Sequence, residues 1–469
     1  MRRLDARGRS MRRALGATLV ALVCTATPAA ATQTTQTFRY GPIQIAPYSV
    51  DERDYVYGIP SPQVDGYLTG GTARLVDAQG RPVSLARVML HHVVFSNAGA
   101  RLGDKTNPTC DKVTLFDSLA QVPGLSEPVA GFAEEHVNEH LPPGYGYPIK
   151  ATDHWVGTWM LMNHRDRPET VYLEYTADVV TGESLKPAYP VWLDVRGCSL
   201  DPIFDVPGGG RRGSTFSLST TVPAPLTARI VGALGHLHGG GKSDMLTEPA
   251  CGDREVLRST PTWGGPRSLP YRVRPVLHEP SPVGMSTLTS EQGFPVQAGA
   301  PLKLTANYDD QLPETRVMGI MGLYITPDPA APACAPLPTD IQVERTPGPA
   351  MPPRFRVPIN GIGPHGRVGP IRRPAGPTVL APHGTTIDVA SLAFTPANLA
   401  VRAGATVRWR FFDGALHNVT LASGPTGFSS PNLSDGRVFA QRLTKPGVYR
   451  LACSLHAATM SATITVLPR

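Results

Sequence analysis

The residues of this 469-residue chain that could carry chemistry lie in a few short segments. Near the C-terminus Cys453, His456 and Met460 follow a C-x₂-H-x₃-M spacing, and His417 stands upstream of them. One thiolate, two imidazoles and one thioether form a chemically specific set. A trigonal His₂Cys site with a weak axial Met suits copper in both oxidation states, whereas zinc more often brings further cysteines. Three more segments carry histidine: Leu90-His91-His92-Val93-Val94, Trp159-Met160-Leu161-Met162-Asn163-His164 and Gly235-His236-Leu237-His238-Gly239. His236 and His238 are two apart, so on a strand they project from one face and can chelate one metal. His91 and His92 are adjacent, so a regular strand would aim them at opposite faces. Both can serve one metal only where the strand ends or bulges.

These side chains need elements that aim them. Alternation places Tyr449, Leu451 and Cys453 on one strand face, and Met460, Ala462, Ile464 and Val466 on one face of the next strand. Upstream, His417, Val419 and Leu421 share a face, behind a core strand carrying Val407, Trp409 and Phe411. The four ligands therefore converge at one end of a small β-sandwich. On these residues the last ninety or so positions resemble the plastocyanin/azurin family, which implies a Greek-key cupredoxin sandwich with a type 1 copper and an electron-transfer role.

The order of the upstream motifs is also informative. His91-His92, a strand-borne His164, His236-x-His238 and the strand methionine of Val317-Met318-Gly319 resemble the architecture of copper type II ascorbate-dependent monooxygenases of the peptidylglycine hydroxylating type. That likeness implies an electron-transfer copper at His91, His92 and His164, and an oxygen-binding, catalytic copper at His236, His238 and Met318, with Met321 as the rival methionine. Together with the C-terminal site, the expectation is one type 1 copper and two further mononuclear coppers. A second likeness, to the stress up-regulated nodulin-19 family, covers residues 40–330 through the same histidines and Pro142-Pro143-Gly144-Tyr145. Where amidating enzymes hold a peptide carboxylate with Arg, Asn and Tyr, this chain has Leu234, Ile320 and Gly322, which argues against peptide amidation.

The rest of the sequence frames these sites. Runs rich in Val, Thr and Tyr, broken by Gly and Pro, recur throughout and read as an all-β protein. The expected layout is two tandem jelly-roll-like β-sandwiches at 35–187 and 188–335, a Pro/Gly-rich linker at 336–377, and the cupredoxin domain at 378–469. The best helix candidate is Val129–Leu141, closed by Pro142-Pro143-Gly144. It would put His136 and His140 one turn apart on a solvated face, without the glutamate placement of H-E-x-x-H. Arg12 and Arg13, the apolar run Ala14–Val23 and Ala29-Ala30-Ala31 read as a signal peptide over residues 1–31, so a secreted or periplasmic location is expected. That segment holds six arginines and one aspartate, a net +5 of the chain's +7. The remaining +2 gives no support to nucleic-acid binding, and no later run is long and apolar enough to span a membrane. The implied partners are an electron donor or acceptor and, for an enzyme, a small-molecule substrate. With Cys24 in the signal and Cys453 claimed by metal, Cys110, Cys198, Cys251 and Cys334 remain for two disulfides.

Overall fold

A computed structural model describes residues 31–97, 127–197, 202–278, 280–352, 359–362, 367–457 and 459–469. Residues 1–30 of the expected signal segment, Cys110 and Cys198 lie outside them. The described chain is almost entirely β-strand: helix is confined to Leu269–Arg272 and short 3₁₀ turns. Among the described residues no helix is long and apolar enough to cross a membrane.

Three pairs of sheets each enclose a core. In the first, one sheet runs Thr32–Ile45, Glu169–Thr181, Gly66–Val76, Tyr145–Ile149, Lys186–Pro187 in spatial order, and the other Val50–Ile59, Trp155–Asn163, Val88–Asn97, Glu127–Ala133. Burial alternates along Glu169–Thr181, as expected for a strand with one face on the core, and Phe95, Tyr147, Trp155 and Tyr175 fill the space between the sheets. The second pair sets Tyr189–Asp194, Gly319–Pro327, Ala228–Leu237, Thr287–Val296 and Gln342–Glu344 against Thr215–Pro223, Pro301–Asp309, Gly241–Glu248 and Arg254–Ser259. The third joins a sheet containing Thr420–Ser423, Gly447–Ala452 and Ser461–Leu467 to one containing Ala405–Phe411. Its core holds Val407, Trp409, Phe411, Val419, Tyr449, Leu451 and Ile464, the inward positions that the alternation predicts.

Two expectations are corrected. Val129–Leu141 is not a helix. Glu127–Ala133 pairs antiparallel with Val88–Asn97, a tight turn follows, and Asn138–His140 pairs with Gly66–Val76. The open edge of Val88–Asn97 offers a row of backbone partners, and satisfying it outweighs the local preference of a segment already weakened as a helix by Gly131. The Pro- and Gly-rich stretch, in turn, is not a free spacer. Gln342–Glu344 extends a sheet of the second pair, and Asn360–Ile362 forms a hairpin with Val368–Pro370. Ile359 and Ile371, flanking that hairpin, are buried against Ala422, Ala452 and Ala457 of the C-terminal domain.

The third pair of sheets is seated on the second by specific bonds. Asp205 accepts from the Ser429 N–H at 2.8 Å and hydroxyl at 2.7 Å. The Arg316 guanidinium donates to the Ser430 carbonyl at 2.8 Å, and the Gly427 N–H donates to the Pro207 carbonyl at 3.0 Å. At Gly427 a Cβ would come within 2.5 Å of the Val206 carbonyl oxygen, so the backbones can approach this closely only with glycine there. Asn432 also reaches the first pair of sheets, donating to Glu52 at 3.2 Å.

Of the two expected disulfides, the described residues contain Cys251–Cys334, closing a sequence separation of 83. Replacing both cysteines by serine is expected to cost about 2–4 kcal/mol by freeing the unfolded chain. Denaturant unfolding checks this, and an unchanged midpoint would contradict it.

Candidate metal centres

The C-terminal site is built where two strands stop. Gly447–Ala452 and Ser461–Leu467 form a hairpin in register up to Ala452 opposite Ser461, so its connection, residues 453–460, carries Cys453, His456 and Met460. The loop folds on itself: Cys453 N–H donates to the Met460 carbonyl at 3.1 Å, and Met460 N–H to the His456 carbonyl at 3.0 Å. His417 enters from just before Thr420–Ser423, which pairs with Gly447–Ala452. Cys453 Sγ lies 4.0 Å from His417 Nδ1 and 3.5 Å from His456 Nδ1, and one ligand atom from each residue falls within 4.8 Å of the others. Met460 is fully buried in the same core.

The surroundings suit a thiolate-bound metal. The outer nitrogen of His417, Nε2, donates to Asp413 Oδ2 at 3.4 Å. That leaves Nδ1 with its lone pair toward the thiol, the usual job of a partner behind a ligand histidine. Burial pushes the Cys453 thiol up, against the pull of the Asn418, Leu455 and His456 N–H groups. Those donors stabilise the thiolate once a cation supplies the opposite charge.

Upstream, the two expected coppers do not separate. The antiparallel register between Val88–Asn97 and Trp155–Asn163 slips between Leu90 and His92, so a bulge at His91 lets both neighbouring imidazoles turn to one side. His236 is the penultimate residue of the strand Ala228–Leu237, and His238 follows the strand before the Gly239-Gly240 turn. The two motifs meet face to face: the ring centroids of His91 and His238 are 5.1 Å apart, and those of His91 and His236 6.2 Å. His278 completes the cluster with its centroid 4.8 Å from both His91 and His238. His91, His238 and His278 each offer a nitrogen within 4.8 Å of the others, a spacing open to a metal that binds imidazole at about 2.0–2.1 Å. One additional three-histidine site thus replaces the two expected mononuclear sites, with one ligand from each expected set and one from neither.

The proton positions follow from the partners. The carboxylate of Glu135 can only accept, so His236 Nδ1, bonded to it, carries the proton and Nε2 the lone pair. His238 Nε2, 3.1 Å from His236 Nε2, must then donate. This leaves the lone pair on His238 Nδ1, which is buried without a hydrogen-bond partner. His91 Nε2 is buried and unpartnered in the same way, and its lone pair faces inward when Nδ1 donates to His92 Nδ1 at 3.0 Å. Leaving such groups unmet costs about 1–3 kcal/mol each, and a cation would meet them both. Burial, then neighbouring imidazoles, holds His91 and His238 well below the usual histidine range and pushes His92 down to about 3, so all three are neutral.

The other anticipated residues have different surroundings. His164 bonds the Pro275 carbonyl through Nδ1 at 2.9 Å and falls outside the three-histidine group. It anchors the segment that carries His278. Met318 is buried beside the strand ends near His238, its carbonyl accepting from the Tyr308 hydroxyl, whereas Met321 is fully buried in the second core. His136 is buried in the tight turn and bonds the Gly235 carbonyl at 2.7 Å, not on a solvated helix face; His140 is exposed, 4.0 Å from Asp178. Sequence reasoning missed His278 and Glu135. His278 is a lone histidine between prolines with no partner spacing, and Glu135 lay in the segment read as a helix.

Between the two centres is a cavity of about 870 Å³. Leu455, His456 and Leu416 of the C-terminal domain form one part of its wall, and His92, His236 and Met318 another.

Glu135→Ala, acting on the ligand His238 through His236, should lower the affinity of the three-histidine site for Zn(II), by no more than the about 10–100-fold that removing a direct partner of a ligand costs. A competitive chelator titration on Cys453→Ser protein measures it. Unchanged affinity would show that Glu135 does not set the tautomers.

Comparison with known proteins bears on the C-terminal centre. The profile of copper binding proteins of the plastocyanin/azurin family matches residues 382–467. Amicyanin-alpha of Methylorubrum extorquens is 29% identical over 80 residues, 16% of this chain and 67% of that protein. Among solved structures, an oxidised methionine-to-leucine mutant of amicyanin is 22% identical over 18% of this chain and 80% of its own, with a TM-score of 0.17. The Cu(I) form of a methionine-to-alanine mutant is 26% identical over 19% and 85%, also at 0.17. The C-terminal part of the chain is therefore a plastocyanin/azurin-like cupredoxin domain, with a type 1-like copper site at His417, Cys453, His456 and Met460.

Proposed function

We propose that the chain is an exported copper-binding electron-transfer protein, whose cupredoxin domain passes electrons to or from a second metal, also copper, held by His91, His238 and His278. The observation that carries this reading is the shared cavity, since His456 at the edge of one centre and His92 and His236 at the edge of the other line the same space. Copper held by two imidazoles, a thiolate and a weak thioether would alternate between Cu(I) and Cu(II) with little change of geometry. The protein supplies the frame. Asp413 and the N–H groups around Cys453 fix the donors, and His456, half-buried, is the way in and out for the electron. The bonds from Asp205 and Arg316 to Ser429 and Ser430 hold that edge toward the cavity. Export is supported by the signal-like N-terminus and by a disulfide suited to an oxidising compartment.

A second reading is a copper-dependent oxidoreductase of the monooxygenase type, the function implied by the order of the upstream motifs. The cavity favours it, because it gives a substrate room beside His92, His236 and Met318. In such a reaction one atom of O₂ enters a C–H bond and the other leaves as water, with two electrons and two protons supplied from outside. On this reading the cupredoxin domain would deliver those electrons. Reductant-dependent O₂ uptake that exceeds the metal present would favour it over simple electron transfer.

Anaerobic loading with Cu(I), followed by metal analysis and oxidation, tests the proposal. Two coppers per chain and an intense blue colour are expected. Cys453→Ser should abolish the colour, and His238→Ala with His278→Ala should remove one copper and keep the colour. A single copper lost with the blue band, or three coppers, would sink the two-centre reading.

A further inference from the structure

We infer that the cavity between the two metal centres is a binding site for a largely apolar small molecule that carries no negative charge. This goes beyond the electron-transfer reading and is tested without metal, so the two can fail separately. At about 870 Å³ the cavity falls within the range of about 300–1,000 Å³ typical of small-molecule sites. Val50, Val94, Phe132, Ile320, Leu323 and Leu416 line it, so the gain on binding comes mainly from removing apolar surface from water.

Each acidic group on its wall has at least one partner within the protein. Asp51 holds the Arg53 guanidinium at 2.9 Å and the Trp159 indole at 3.3 Å. Glu52 accepts from Asn432 at 3.2 Å, and Glu135 accepts from His236. Glu139 accepts from the Tyr324 hydroxyl at 2.6 Å and the Gly131 N–H at 3.4 Å. An anion entering here would lose its hydration and find no free counter-charge. Among the described residues of the wall Arg53 is the one arginine or lysine, already held by Asp51, beside these four carboxyl groups. The wall is drawn from all three pairs of sheets, with the seated cupredoxin domain closing one side of the site.

The test titrates uncharged N-phenyl-1-naphthylamine into the full-length protein stripped of metal and follows its fluorescence. A saturable rise at a single site is expected. Ala130→Trp, on the wall of the first pair, and Ala415→Trp, on an exposed cupredoxin loop, fill the cavity from opposite sides. Each should weaken binding about tenfold or more, with folding checked by thermal melting. The anionic 8-anilinonaphthalene-1-sulfonate, of the same aromatic frame, should bind about tenfold more weakly or worse. No saturable binding, undiminished binding in the folded tryptophan variants, or equal binding of the sulfonate would each overturn the inference.

Discussion

The seating of the C-terminal domain on the edge formed by Phe204–Val206 and Glu314–Val317 is the constraint on which the rest depends. These short strands lie outside the large sheets, yet they hold Asp205 and Arg316 where both meet the backbone of Ser429 and Ser430. Burial raises the Asp205 carboxyl, while bonds to Ser429 and Arg316 draw it back, so the contact is polar, directional and shielded from water. Without it the cupredoxin would be a tethered module, and the cavity would lose the wall that carries Leu455 and His456.

The Pro- and Gly-rich stretch takes part in the same arrangement. Its Asn360 donates to the Val276 carbonyl at 2.8 Å and accepts from the Val276 N–H at 3.1 Å, two residues from His278. His164 holds Pro275 from the other side. Ile359 and Ile371 meanwhile pack on Ala452 and Ala457, the neighbours of Cys453 and His456. One short hairpin thus touches the supports of both metal centres. A long spacer would raise only the effective concentration of its domain; a packed one also sets its position.

How much was legible in the sequence depended on how local each feature is. The cupredoxin ligands could be read because three of them lie in one hairpin connection, with alternating core residues fixing the direction of both flanking strands. The condition for His91 and His92 to act together, a bulge, could also be stated in advance, because two adjacent residues on a regular strand cannot face the same way. The merging of the upstream histidines could not, since spacing within a motif says nothing of how closely two sheets bring two motifs together. His278 is brought to the cluster by long-range bonds from His164 and Asn360 to its neighbours Pro275 and Val276, and by Leu277 packing on Met89, Met160 and Met162. Glu135 reaches His236 because an open sheet edge claims the preceding segment, and that competition is invisible to local propensity.

Dipolar electron spin resonance between the two centres, in protein loaded with Cu(II) at both, tests the central claim most directly. A cupredoxin seated by Asp205 and Arg316 should give one narrow copper–copper distance. Replacing both residues with alanine should broaden it. A broad distribution in the unaltered protein would contradict a fixed arrangement of the centres around one cavity, and no dipolar coupling at all would contradict the second centre itself.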